Sequence, residues 1–165
     1  MTKNTLNWLR FSLFLIGVPI LIIFVSLATI SSISIHKVLA QDTFATASSM
    51  VDKGDALSDS NNSAGALVYY NKALAIDPTN QDALVGKGYA LDDLGNSTGA
   101  IMYFDKALTI DPKNTDALNG KGFALEDSNN STGAIMYFDK TLAISPKDPD
   151  ALKEKNTLTK SAKSG

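Results

Sequence analysis

Two pairs of neighbouring carboxylates, Asp92-Asp93 and Glu126-Asp127, are the residues best suited by type and spacing to carry chemistry. Paired carboxylates could serve as the acid and base of a glycosidase, or they could bind calcium. A glycosidase needs two carboxyl groups in different environments across a cleft, and nothing in the sequence indicates that either is buried. The spaced Asp and Gly residues of a calcium-binding loop do not occur. A solvated acidic surface is therefore the favoured interpretation.

Other catalytic and metal-binding patterns are missing from the sequence. There is no cysteine, and the single histidine, His36, has no catalytic or ligating residues clustered around it. Neither phosphate-binding glycine motif occurs, and Gly86-Lys87-Gly88 falls within a helical pattern, where packing better explains its glycines. We therefore expect no enzyme activity, no cofactor, no metal and no small-molecule substrate.

Charge is unevenly distributed along the chain. From Gln41 onward there are twelve Lys and seventeen Asp or Glu, which gives this part a net charge of −5. A mildly acidic domain is a poor partner for a phosphate backbone, which needs clustered Lys and Arg. We expect no nucleic-acid partner.

The N-terminal segment predicts attachment to a membrane. Lys3 and Arg10 precede an uncharged, largely apolar run at residues 11–35, long enough to span a bilayer. The basic start predicts that the N-terminus is cytoplasmic and that the following domain is extracytoplasmic. The alternative is a signal peptide cleaved after Ala40, which would release the domain. Both interpretations export the remainder of the chain.

A 34-residue repeat is the strongest signal in the sequence. Pro78, Pro112 and Pro146 recur at this interval, and residues 81–114 and 115–148 are identical at twenty-four of thirty-four positions. Such a period predicts stacked supersecondary units that bury their apolar faces together. Within one unit, Leu84, Gly88 and Leu91 predict one helix. Ser97, interpreted as an N-cap, predicts the start of a second.

The repeat resembles the tetratricopeptide-repeat family over residues 47–148. The matching positions carry a large apolar residue, a small residue, a second large apolar residue, alanine, an aromatic, a further alanine or threonine, and proline. They read Met50, Leu84, Leu118; Gly54, Gly88, Gly122; Leu57, Leu91, Leu125; Ala66, Ala100, Ala134; Tyr70, Phe104, Phe138; Ala73, Ala107, Thr141; Pro78, Pro112, Pro146. The departures include Lys53, Lys87 and Lys121, which replace an apolar residue, and Ser63, Ser97 and Ser131, which replace a tyrosine.

The resemblance implies a concave groove lined by the first helix of each repeat. The residues at its groove positions are Val51, Asp55, Asp82, Val85, Tyr89, Asp92, Asp116, Asn119, Phe123 and Glu126. This groove would be acidic, with Tyr89 and Phe123 as apolar anchors for a partner or, alternatively, as packing residues between neighbouring helices. Some members of the family bind C-terminal carboxylates there, but only Asn119 fits that pattern.

The hairpin turns contain glycosylation sequons. Their acceptor residues are Asn61, Asn96, Asn129 and Asn130. Ordinary turn chemistry is the alternative explanation for these residues.

These observations predict an all-α solenoid with four segments. They are an anchor or signal at residues 1–40, a linker at 41–46, three repeats at 47–80, 81–114 and 115–148, and a polar capping helix and tail at 149–165. The expected function is a non-catalytic adaptor that binds a protein or peptide, with a preference for basic segments. The alternative is a structural component that self-assembles in an extracellular or envelope complex.

Overall fold

The computed structural model describes Gln41 and residues 43–164. The segment expected to reach the membrane, residues 11–35, lies outside these described residues. Among the residues that are described, no helix is long and apolar enough to cross a bilayer.

Every described secondary-structure element is a helix, as the sequence predicted. We number them α1 to α7. Residues 43–59 are helical and belong to α1, so residues 43–46, expected as linker, are helical in the structure. The others are α2 (Ser63–Ile76), α3 (Gln81–Asp93), α4 (Ser97–Ile110), α5 (Thr115–Asp127), α6 (Ser131–Ile144) and α7 (Pro149–Ser164). Consecutive helices from α2 onward pack against each other in chain order, which produces a solenoid.

Asparagine, rather than the serine expected from the sequence, caps the second helix of each hairpin. The N-caps are Asn62, Asn96 and Asn130, and each side chain accepts a hydrogen bond from the main-chain N–H three residues later. That N–H belongs to a glycine in all three hairpins. Glycine leaves room for the capping side chain, because a Cβ at Gly99 would lie only 2.8 Å from the side-chain amide nitrogen of Asn96. The serine interpretation was wrong by one residue because both residue types cap well.

Glycine lets the aromatic residue of each of the first two hairpins sit against two helices at once. A Cβ at Gly88 in α3 would lie 2.6 Å from the Phe104 ring, and a Cβ at Gly120 in α5 would lie 2.4 Å from the same ring. Phe104 is fully buried between them. Tyr70 occupies the equivalent place between Gly54 and Gly86. The glycines of the Gly-Lys-Gly segments are therefore packing residues.

Helix α7 closes the last repeat. Ala151 and Leu158 are buried with Ala134 and Phe138 of α6. Asp148 caps α7 by accepting a hydrogen bond from the main-chain N–H of Ala151 at 2.9 Å. The remaining residues of α7 are mostly polar and exposed, in keeping with a terminal element of a repeat array.

Candidate binding groove

The first helices of the hairpins form the inner face of the solenoid. Helices α3 and α5 contact each other directly, whereas no comparable contact joins α2 to α4 or α4 to α6 among the described helices. The stack is therefore closer together on the side of α3 and α5, which makes that side concave. A surface there is available to an elongated partner.

An open cleft of about 370 Å³ lies on this inner face. Five residues that the sequence assigned to the groove line it: Asp55, Asp82, Val85, Tyr89 and Asp116. The other lining residues are Ser58, Asp59, Tyr70, Gly86 and Asn114. Four of the ten lining residues are aspartates and none is basic, so the cleft has a negative potential.

Two of the expected groove residues are buried in the fold. Val51 is 6% exposed and packs in the apolar cluster around Tyr70. Asn119 is also 6% exposed, and its side-chain nitrogen donates to the carboxylate of Asp148 at 3.1 Å. Because Asp148 is the N-cap of α7, Asn119 ties α5 to the terminal helix rather than presenting its amide to solvent.

The remaining three expected groove residues, Asp92, Phe123 and Glu126, do not line the cleft. Phe123 packs edge-on against Phe138, with ring centroids 5.4 Å apart. Burial raises the pKa of Asp92 above its ordinary value. A hydrogen bond with Ser97 acts in the opposite direction, and neighbouring carboxylates raise the pKa further. Burial likewise raises the pKa of Glu126.

Tyr89 lines the cleft and also connects two repeats. Its ring packs edge-on against Phe104 at 5.1 Å between centroids. Its hydroxyl donates to the main-chain oxygen of Asp116 at 2.9 Å. Burial raises the pKa of Tyr89, and the carboxylates of Asp116 and Asp150 raise it further. Tyr89 therefore packs between neighbouring helices, as the packing alternative expected, and also lines the cleft.

Tyr70 is a cleft residue that the groove positions did not include. Its hydroxyl donates a hydrogen bond to the Asp55 carboxylate at 2.7 Å. Burial is the larger cause that raises the pKa of Tyr70, and this hydrogen bond raises the pKa further. The sequence contained a signal for it, because the equivalent residues in the next two repeats, Phe104 and Phe138, have no hydroxyl group. A polar tip on one of three equivalent rings indicates a local polar contact.

Lysines that depart from the family pattern lie on tyrosine rings away from the cleft. Tyr69, Tyr103 and Tyr137 each have two lysine ammonium groups near the ring, one from each helix of the hairpin. The pairs are Lys53 with Lys72, Lys87 with Lys106, and Lys121 with Lys140, at 4.0 to 5.9 Å from the ring centroids. Lys87 also donates to the Tyr103 hydroxyl at 2.7 Å, and this hydrogen bond lowers the pKa of Tyr103.

The sequons fall into two structural classes. Asn61 and Asn129 have positive φ angles of 56° and 60° in exposed turns. Asn96 and Asn130 are N-caps whose side chains are hydrogen-bonded to the helix that follows. All four positions have a conformational reason to be asparagine. Asn61 and Asn129 are the two whose amides do not cap a helix.

Comparison with known proteins matches part of the chain to a family and gives similar folds. Residues 51–115 match the tetratricopeptide-repeat family. The Arabidopsis OM64 TPR domain is similar in structure, with 24% identity, a TM-score of 0.69, and coverage of 72% of this chain and 98% of that one. No curated protein matches the sequence.

Two further similar structures contain bound peptides. The first TPR of Spaghetti (RPAP3), bound to the HSP90 peptide SRMEEVD, has 19% identity and a TM-score of 0.68, and the match covers 71% of this chain and 95% of that one. The second TPR domain of human RPAP3, in complex with the HSP70 peptide SGPTIEEVD, has 19% identity and a TM-score of 0.66, with coverage of 71% and 98%. At these identities the likeness concerns the fold.

Proposed function

We propose that this chain is a tetratricopeptide-repeat adaptor whose inner cleft binds a basic segment of another protein. Tetratricopeptide-repeat domains are protein-interaction modules, and this one needs no catalytic group for that role. The observation that carries the proposal is the composition of the cleft, which has four carboxylates, no basic side chain, and the apolar surface of Val85 and Tyr89.

The carboxylates define the class of partner. Asp82 and Asp116 lie on adjacent repeats in the same cleft, and Asp55 and Asp59 lie on the preceding helix. A Lys- or Arg-rich segment would be attracted to this surface and would associate faster than a neutral one. One or two apolar side chains of the partner would pack on Val85 and on the exposed part of Tyr89.

This preference is opposite to that of the peptides in the similar structures. Both of those peptides end in Glu-Glu-Val-Asp and are acidic. Asn119, the only residue here that fits a carboxylate-binding pattern, is buried and bonded to Asp148. An acidic C-terminus would meet like charge in this cleft, so we expect the chain to reject such peptides.

The proposal also includes a place for the domain. The apolar run at residues 11–35 and its basic start support a domain tethered outside the cytoplasm. Protease added to intact cells should cleave the domain if it is tethered. If the segment is cleaved as a signal peptide, the domain should be present in the medium. Cleavage only after lysis would contradict this arrangement, and a mature N-terminus at Gln41 would identify the segment as a signal peptide.

Binding by matched charge variants tests the groove. Peptides bound by the full chain would first be selected from a library of uniform length and varied charge, and the best binder would then be titrated against two variants. Asp82→Asn with Asp116→Asn removes two carboxylates from the cleft. Asp52→Asn with Asp127→Asn makes the same change in net charge at exposed residues outside it.

The two variants should behave differently if the cleft is the binding surface. The cleft variant should bind the selected basic peptide at least about tenfold more weakly, since charge pairs across interfaces couple by 1.5 kcal/mol or more. The control variant should bind like the parent. Equal effects of the two variants, or selection of acidic peptides, would refute the proposed groove.

A further inference from the structure

The outer face of the solenoid exposes the same three-residue pattern in every repeat. An apolar side chain, a lysine four residues later, and an isoleucine four residues after that lie along α2, α4 and α6. The residues are Val68, Lys72 and Ile76; Met102, Lys106 and Ile110; Met136, Lys140 and Ile144. The six apolar members are between 39% and 54% exposed, and the lysines are also exposed. Residues four apart on a helix share a face, so each triplet forms one stripe.

These helices carry few other charges. Lys72 is the sole charged residue of α2, while α4 and α6 each contain one aspartate beside the lysine, Asp105 and Asp139. Both aspartates form ion pairs, Asp105 with Lys121 and Asp139 with Lys155. The two negative charges within these helices are therefore neutralised by lysines from the next helix along the stack.

The stripe lysines retain their positive charge for another partner. The ammonium groups of Lys72, Lys106 and Lys140 lie 4.7, 4.5 and 4.3 Å from the ring centroids of Tyr69, Tyr103 and Tyr137. A tyrosine ring holds the ammonium group without cancelling its charge. Each repeat thus presents a positioned cation between two exposed apolar side chains, with a partly buried tyrosine beside it.

We propose that this outer face docks on an anionic lipid bilayer. The valine, methionine and isoleucine side chains would enter the boundary between headgroups and acyl chains, and the three lysines would contact lipid phosphates. Tyrosines are suited to the headgroup level because the ring is apolar and the hydroxyl is polar. The inner cleft, on the opposite side, repels the same surface through its carboxylates and would face away from the membrane.

The chain beyond the described residues favours a bilayer over another protein as the occupant. This argument rests on the membrane segment expected at residues 11–35. Only five residues, 36–40, separate it from Gln41, the first described helical residue. Five residues span at most about 18 Å when fully extended. The domain would therefore be held beside the bilayer at high effective concentration, where weak contacts from three repeats suffice.

Site-specific fluorescence in nanodiscs tests the proposal with the full chain. The sequence has no cysteine, so a single cysteine introduced at Met136 labels the outer face, and one at Ser58 labels the cleft. The labelled chains would be placed in phosphatidylcholine nanodiscs with or without phosphatidylglycerol, and a headgroup spin-labelled lipid would quench nearby fluorophores. The combined variant Lys72→Glu, Lys106→Glu, Lys140→Glu reverses the stripe charge, with its thermal unfolding as a check on folding.

We expect quenching at position 136 only in nanodiscs that contain phosphatidylglycerol, and no quenching at position 58. In the folded charge-reversal variant, quenching at position 136 should be lost. Equal quenching in both lipids, or quenching at neither position, would overturn the proposal. Shielding of position 136 that grows with protein concentration regardless of lipid charge would assign the face to a second copy instead. Failure of the chain to co-elute with neutral nanodiscs would remove the anchor on which the argument rests, without bearing on peptide binding in the cleft.

Discussion

The hydroxyl of Tyr89 in α3 donates a hydrogen bond to the main-chain oxygen of Asp116 in α5, at 2.9 Å. This bond connects two repeats, and both residues line the inner cleft. Tyr89→Phe should therefore lower the free energy of unfolding by about 0.5–1.5 kcal/mol, the usual net contribution of one such bond. Denaturant unfolding of parent and variant measures this. A Phe variant as stable as the parent would show that the bond adds no net stability.

Tyr89→Ala and Phe123→Ala should both destabilise the domain, because each ring packs edge-on against a fully buried phenylalanine. Removing a buried aromatic ring costs about 3–5 kcal/mol, and partial exposure reduces that figure here. The two alanine variants therefore suit stability measurements, while the charge variants of the cleft suit binding measurements. Alanine variants that melt at the parent temperature would contradict the packing described.

Gly120→Ala should destabilise the stack between the second and third repeats. The added Cβ would lie 2.4 Å from the ring of Phe104, which cannot move away because it is fully buried. Overpacking of this kind typically costs about 1–3 kcal/mol. Thermal unfolding of Gly120→Ala, of Phe104→Leu and of the double variant forms the appropriate cycle. The double variant should be more stable than the sum of the single effects predicts, since the smaller side chain relieves the clash.

Gly95 should tolerate asparagine but not valine. It has a φ angle of 78°, and the equivalent residues of the other hairpins, Asn61 and Asn129, adopt the same left-handed conformation. Nothing lies within 4 Å of a Cβ at this position, so any cost arises from the backbone. Gly95→Asn should stay within about 0.5 kcal/mol of the parent, and Gly95→Val should lose about 1–2 kcal/mol. Similar melting temperatures for the two variants would refute the conformational argument.

Asp92 should make the stability of the domain depend on pH. Its pKa is raised in the folded state, chiefly by burial, so folding favours its protonated form. The associated stability is present below the ordinary pKa of aspartate and is lost as the pH rises through the raised value. Asp92→Asn should therefore be more stable than the parent near pH 7, and the difference should vanish at about pH 3. The exposed Asp82→Asn is the control, and an equal gain in both variants would contradict burial as the cause.

Much of the fold could be predicted because the repeat supplies the same observation several times. A small residue such as Gly88 and an aromatic such as Phe104 recur at a fixed interval, and only close helix packing explains both. The cap was misplaced by one residue because Asn96 and Ser97 are both good capping residues. Only the geometry of the hairpin decides between two such neighbours.

The groove was harder to predict because the same face of α3 and α5 both lines the cleft and packs against the neighbouring repeat. Asp82 and Tyr89 line the cleft. Asn119 also stands at a groove position of the repeat, but its side chain donates a hydrogen bond to Asp148, the N-cap of α7. Which of these occurs depends on the neighbouring repeat, and the third repeat differs from the second in having a terminal helix beyond it. The pattern within one repeat contains no information about that neighbour.

The placement of Phe104 between Gly88 and Gly120 has a consequence for how the chain can change in length. Tyr70 and Phe104 are each enclosed by one glycine of their own 34-residue unit and one glycine of the next. A duplication or deletion of one complete unit inside the array would recreate the same contacts at both junctions, so it would require no compensating substitution. Beyond α6 this rule ends, since Glu154 occupies the position equivalent to Gly86 and Gly120. Evolution can therefore lengthen or shorten this protein from within, by recombination between near-identical segments, while the end of the array stays fixed.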